Sequence, residues 1–278
     1  MNLSSNEMSW DFREEEERRV STIFREKGYI IQGANMPFIN QMTNEVQNGL
    51  RNYFDANNVI TNAHERVCLE QVHNFVDAND SNNLRLHIMK HVSQGVRFNK
   101  AYYQAAEKVI DLLCGNELAM QKRIGISINF PNNESDALPI HADTWNGVSP
   151  YELNIWIPMV NCRNSMSLYI IERGVYNELL CRKPGLLKRS SDEIFKELKS
   201  DLTWIDIDHG EILAFDQSLP HGYSINREVH THWSFNCRFK SLHTPYWDKK
   251  LGEYFMPITV KECTRIGMSY KHPKKWIE

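Results

Sequence analysis

The sequence lacks the usual signs of a secreted, membrane-bound or nucleic-acid-binding chain. Its six cysteines (Cys68, Cys114, Cys162, Cys181, Cys237 and Cys263) are scattered over 278 residues and form no CxxC pair. That argues against a disulfide framework or a zinc knuckle and for reduced thiols in a cytoplasm. The start, MNLSSNEMSWDFREEEERR, has no apolar core of a secretory signal. No run of about eighteen apolar residues occurs, so no membrane span is expected. Repeats and low-complexity segments are missing too. An excess of one charge is also lacking: 32 Lys and Arg stand against 35 Asp and Glu, for a net charge of -3. Such a weak field favours neither nucleic acid nor an anionic membrane. Lys271, Lys274 and Lys275 read as a short solvated tail. What remains is an ordinary globular composition, 41% hydrophobic and 24% charged, long enough for a sizeable core. The partner is expected to be a small molecule.

The chain changes character near residue 122. Residues 1–122 read as helix and loop packed on a strand-rich core. Glu14 to Glu17 precede Arg18 and Arg19, an order that suits a helix dipole. Ala101, Ala105, Val109 and Leu112 recur at helical spacing within 97–113, and Gly115 is a plausible stop. Residues 123–247 read as short strands: RIGISINF, ALPIHAD, YELNIWIPMV, MSLYIIE, WIDID, EILAF and VHTHWSFNCRFK, with a polar helical insertion near 186–200 and a Pro-His-Gly turn before the last strand. Residues 248–278 are an extension. Short strands with turn signals between them indicate a sandwich or jelly roll under a helical cover.

The last long strand has two unlike faces. His230, His232, Ser234, Asn236 and Arg238 alternate with Thr231, Trp233, Phe235, Cys237 and Phe239. Period-two alternation puts the two sets on opposite sides of a sheet. The apolar set is expected under helices, and the polar set lining a wet cavity inside the jelly roll.

His141-Ala142-Asp143 ends one predicted strand, and His221 follows another, 80 residues on. Residues i and i+2 of a strand point the same way. Two imidazoles and one carboxylate on one face suit non-haem Fe(II) and leave positions open for dioxygen and substrate. Alone, an H-x-D pair is weak, because a half-buried histidine beside a turn aspartate gives the same string. The strands between the pair and His221 are what favour the metal. His209-Gly210-Glu211 stands twelve residues before His221, with little chain between for the strands of a jelly roll, and reads as a turn. His87 and His91 share a helix face with no acid beside the first, so the zinc-protease motif is missing.

HADTWNGVSPYELNIWIPMVNC, SMSLYII, DQSLPHGYSIN and HWSFNCRFKSLHTPY resemble the bacterial sporadic carbohydrate cluster 2-oxoglutarate-Fe(II) oxygenases, relatives of the phytanoyl-CoA dioxygenase-like enzymes, over residues 123–247. The resemblance implies a mainly β protein with helical cover on a double-stranded β-helix (jelly roll, cupin-like) core. It implies His141, Asp143 and His221 as catalytic iron ligands, with 2-oxoglutarate and O2 as co-substrates. It further implies hydroxylation of a small polar metabolite in carbohydrate or surface-polysaccharide biosynthesis.

One position departs from that pattern. The family holds the far carboxylate of 2-oxoglutarate with an Arg about eleven residues after the distal His, and His232 stands there, followed by Trp233 and Ser234. Arg offers a permanent charge and a fork; neutral His offers one donor. The loss is worth about 1–3 kcal/mol of binding. His232 with Ser234, or Arg227 or Arg123, are the alternatives for that role; Arg238, a further candidate for the co-substrate, the substrate or the fold, lies six residues on, about 20 Å along the strand, and cannot occupy the same spot. Another alternative is an Fe(II) oxygenase of this fold that does not use 2-oxoglutarate, and a further one is a cupin-like sugar isomerase or binding module. Thr144, Trp145, Asn154 and Trp156 are candidates for the substrate wall, with core packing the plain alternative for the two tryptophans. Asn226 and Asn236 are candidates to orient a ligand.

Overall fold

The computed structural model describes residues 11–59, 67–183 and 185–272; Lys274 and Lys275 of the expected tail lie outside them. Along the chain run α1 (Glu15–Lys27), β1 (Tyr29–Gly33), α2 (Met36–Ala56), α3 (Ser81–Val92), α4 (Arg97–Cys114), β2 (Leu118–Gln121), β3 (Gly125–Asn129), β4 (Leu138–His141), β5 (Leu153–Pro158), β6 (Leu168–Ile170), α5 (Arg173–Arg182), α6 (Ser191–Leu198), β7 (Thr203–Trp204), β8 (Glu211–Asp216), β9 (His221–Tyr223), β10 (His232–Ser241), β11 (Phe255–Thr259) and α7 (Glu262–Ser269). None of the described helices is long and apolar enough to cross a membrane.

The strands form a seven-stranded sheet, ordered β1-β8-β5-β10-β2-β11 with β3 also on β10, and a four-stranded sheet, β4-β9-β6-β7. Two facing antiparallel sheets under a helical layer make the double-stranded β-helix with its cover. Helix α4 shows how the cover is built. Phe98, Ala101, Tyr102, Ala105, Ala106, Val109 and Ile110 are buried at helical spacing, and the helix stops where Gly115 takes φ +85°. Phe98 packs on Phe235 at 4.9 Å between ring centroids, and Tyr102 stacks on Phe239 at 6.3 Å. The Tyr102 hydroxyl donates to the carbonyl of Ile155 at 2.7 Å, tying the helix to β5. The apolar face of β10 therefore lies under a helix, as its alternation predicts.

The insertion contains α6, started by a capping box between Ser190 and Glu193. It lies against the outer face of the smaller sheet, where Phe195 meets Tyr169. The structure corrects four local readings. Strands β1 and β2 lie inside the stretch read as helix and loop; β1 pairs with β8 from Tyr29↔Phe215 to Gly33↔Glu211. Helix α5 precedes the expected insertion. The Pro-His-Gly turn is strand β9. The C-terminal extension adds β11 to the edge of the larger sheet, beside β2.

Candidate metal centre

His141 on β4 stands directly opposite His221 on β9 in the sheet register. Asp143 follows β4 at the start of a 3-10 turn through Asn146, where its amide donates to the carbonyl of Gln217 at 2.9 Å. One ligand atom from each of His141, Asp143 and His221 lies within 4.8 Å of the others. The imidazole rings are 4.5 Å apart, and His141 Nε2 is 3.7 Å from Asp143 Oδ1.

Both imidazoles are fixed the same way. His141 Nδ1 lies 2.9 Å from the carbonyl of Pro139, and His221 Nδ1 lies 2.8 Å from the carbonyl of Leu219. A carbonyl can only accept, so each Nδ1 carries a proton, which leaves Nε2 as the ring nitrogen able to bind a metal. Phe215 meets the His221 ring edge-on at 4.9 Å. Burial and the neighbouring His141 push the His221 imidazole down to about 4, so it is neutral at pH 7. Two imidazoles, each anchored through Nδ1, and one carboxylate fit a single divalent ion of the Fe(II) type.

Arg238, six residues past the expected co-substrate position, reaches the carboxylate of Asp143. Its Nε also donates to Gln217 Oε1 at 3.0 Å, and Nη1 reaches Tyr254 and Gln121. Glu152 is buried near this cluster, and neither of its carboxylate oxygens has a hydrogen-bond partner among the described residues; burial raises its pKa. Lys240, two residues beyond Arg238, is fully buried. Its ammonium donates to the carbonyl of Pro245 at 2.7 Å and sits 3.8 Å from the Tyr246 ring centroid.

The other end of the polar face is neutral. His232 is stacked on Trp156 at 5.9 Å and lies 5.2 Å from the Tyr223 ring. Its Nε2 is 2.8 Å from Ser234 Oγ, and its Nδ1 is 3.4 Å from Cys162 Sγ. Tyr223 Oη is 3.3 Å from Ser234 Oγ and accepts from Trp156 Nε1. Burial pushes His232 down to about 3, so it carries no charge at pH 7. The charged partner that the family pattern puts at this place for a second carboxylate is therefore replaced by a neutral, hydrogen-bonded cluster.

The remaining candidates scatter. Arg227 is exposed and donates to Asn132 at 3.1 Å, and Arg123 is exposed in the bend between β2 and β3; neither is placed in the barrel. Asn154 is buried beside Arg238 in the register, with its Oδ1 unpartnered among the described residues. Trp156 packs against His232. Thr144 and Trp145 are half-buried in the turn after the ligand pair, with Trp145 resting on the core. Asn226 ties the carbonyls of Asn129 and His230 together, and Asn236 lies against Gly125, where a Cβ would stand 2.0 Å from its Oδ1. His209-Gly210-Glu211 is a turn with φ +99° at Gly210. His87 and His91 pack on α2, against Tyr53 and Gly49.

Sequence reasoning missed Glu152, Gln217, Gln121, Tyr254, Tyr223 and Cys162. Extending the strand alternation by one step in each direction, from Asn154 to Glu152 and from Arg238 to Lys240, would have found two buried charges.

No protein-family model matches the chain, and no curated protein matches it. Among solved structures it is similar to ThoJ, described as a non-heme monooxygenase, in a nickel complex (TM-score 0.55, 11% identity, 88% of this chain and 85% of that one). The apo form of ThoJ gives a TM-score of 0.56 at 12% identity, over 87% of this chain and 84% of that one. EvdMO1 gives 0.51 at 12% identity, over 81% of this chain and 49% of that one. At such identities the likeness shows a shared fold.

Proposed function

We propose that this protein is a non-haem Fe(II) oxygenase that hydroxylates a small polar metabolite, using dioxygen and a 2-oxo acid. The observation that carries the reading is the set of three convergent ligands with both imidazoles anchored through Nδ1. The fold shared with a non-heme monooxygenase supports it. The sequence resemblance supports 2-oxoglutarate as that acid and favours a carbohydrate-derived substrate.

His141 and His221 would hold the ion by Nε2 and Asp143 by a carboxylate oxygen. The bound ion would activate dioxygen, whose four electrons come two from oxidative decarboxylation of the 2-oxo acid and two from the substrate C–H bond. The chain's own part is positioning. Arg238 fixes the carboxylate of Asp143, Phe215 shields His221, and Thr144, Trp145 and Asn154 wall the approach. The unpartnered Oδ1 of Asn154 is an acceptor for a substrate hydroxyl.

The test is anaerobic titration with Fe(II) or Co(II). One equivalent should bind to the purified chain and none to folded His141→Ala or His221→Ala. Equal binding by the wild type and both variants would end this reading.

A further inference from the structure

The smaller sheet has a cavity on its other side. Tyr169 pairs with Gly222, which stands between His221 and Tyr223 on β9. Alternation therefore turns Tyr169 away from the metal ligands. Trp204 pairs with Tyr169 and shares its face, and Ile140, next to His141, points the same way. Helix α6 covers this face only in part. Between them lies a cavity of about 480 Å³, within the range of about 300–1,000 Å³ that holds small molecules.

Its walls are chiefly apolar. Tyr169 meets Phe195 at 5.5 Å and Trp204 at 5.4 Å between ring centroids, with the rings inclined to one another. Gly222 lets Tyr169 lie on the sheet, since a Cβ there would stand 2.5 Å from the tyrosine hydroxyl. Trp204 is 36% exposed, which leaves its indole free to take a further ring.

Charge collects at the rim. Lys199 and Arg227 both line the cavity and both are exposed. The Lys199 ammonium has no partner among the described residues, and the Arg227 guanidinium is held by the neutral side chain of Asn132. Asp192 is the one acid among the lining residues, so a single positive charge is left over. A saccharide would need fixed polar groups along the walls. Two of the serines there are already engaged, Ser165 with Glu228 and Ser224 with the carbonyl of Ile225.

We infer that this cavity is a second ligand site, apart from the metal centre, which takes a planar aromatic monocarboxylate. The ring lies against Tyr169, Phe195 and Trp204, and the carboxylate meets Lys199 and Arg227. The site is coupled to the metal centre. Its floor includes Ile140 of β4 and Tyr223 of β9, neighbours of the two histidine ligands, so a ligand there braces the strands that hold the ion. The coupling rests on the proposed metal reading; the binding does not.

The experiment is calorimetric titration of the full chain with 2-naphthoate, with its neutral amide, and with glucuronate. 2-Naphthoate should bind with one-to-one stoichiometry and several-fold more tightly than the amide. Trp204→Ala should weaken it at least about fivefold, and Lys199→Gln and Arg227→Gln about two- to fivefold each. These last two change exposed side chains and keep the test open if Trp204→Ala fails to fold. Saturating 2-naphthoate should raise Co(II) affinity about fivefold, and Co(II) should raise 2-naphthoate affinity by the same factor. No binding of 2-naphthoate, equal binding by the wild type and all three variants, or binding of glucuronate alone overturns the inference and leaves the metal reading standing. Binding of 2-naphthoate with unchanged Co(II) affinity overturns the coupling. Failure to bind Co(II) with or without 2-naphthoate ends the metal reading and leaves the second site intact.

Discussion

The guanidinium of Arg238 grips both carboxylate oxygens of Asp143, with Nη2 2.8 Å from Oδ1 and Nε 3.2 Å from Oδ2. A bidentate pair of this kind fixes direction as well as charge. Arg238→Gln should therefore lower divalent-metal affinity about 10- to 100-fold, the usual cost of losing a partner that orients a ligand. Arg238→Lys should restore part of the charge and little of the fork. Co(II) titration followed by the d–d spectrum measures both variants; wild-type affinity in Arg238→Gln would refute the role.

The same pair separates two ligand variants. Asp143→Ala leaves the buried Arg238 without its anionic partner and should destabilise the metal-free protein by about 1–3 kcal/mol. Gln217, Gln121 and Tyr254 retain part of the contact. His141→Ala removes a half-buried ring with one backbone hydrogen bond and should cost clearly less. Urea unfolding in chelator compares them, and equal losses would contradict the coupling.

Acid should weaken the metal-free fold. His232 is held at about 3 and His221 at about 4, against 6.5 in an unfolded chain. Below pH 6.5 the unfolded chain takes up protons that the folded chain refuses, so stability rises with pH between about 4 and 6.5 and levels off above. The urea midpoint should fall as pH drops through that window, and His232→Asn should flatten the slope. An unchanged slope in the variant would remove His232 from the account.

Gly222→Ala tests how the two histidines are brought together. A Cβ there would stand 2.6 Å from the carbonyl oxygen of Leu138 and 2.5 Å from the hydroxyl of Tyr169. The backbone contact cannot yield cheaply, so β4 and β9 must part. We expect a loss of about 1–3 kcal/mol by the usual cost of overpacking, with weakened metal binding. Thermal unfolding and metal titration of one preparation check both.

Legibility followed local periodicity. The two faces of β10 were readable because Trp233, Phe235, Cys237 and Phe239 alternate strictly with polar residues. The ligand pair was readable because H-x-D on a strand is itself a geometric statement. Strand β9 was not, since its three residues read as a turn and Gly222 is explained by what crowds it from Leu138 and Tyr169. Strand β1 escaped because its partner β8 lies far along the chain, a pairing that no local pattern encodes. The grip of Arg238 on Asp143 was hidden for the same reason. Strand arithmetic put Arg238 about 20 Å from position 232 but gave no account of what it touches.

The pairing of β4 with β9 is registered at Leu138↔Tyr223 and His141↔His221, with an irregularity between them. It is a thin seam between strands 80 residues apart in the chain. On the proposed reading, an ion held by both histidines is a clasp that shuts this long loop as well as a reagent, and part of its binding free energy goes into closing the seam. Amides along β4 and β9 would then exchange with solvent faster in iron-starved protein than in loaded protein. Metal supply would set how long this face resists proteolysis as well as whether the protein turns over.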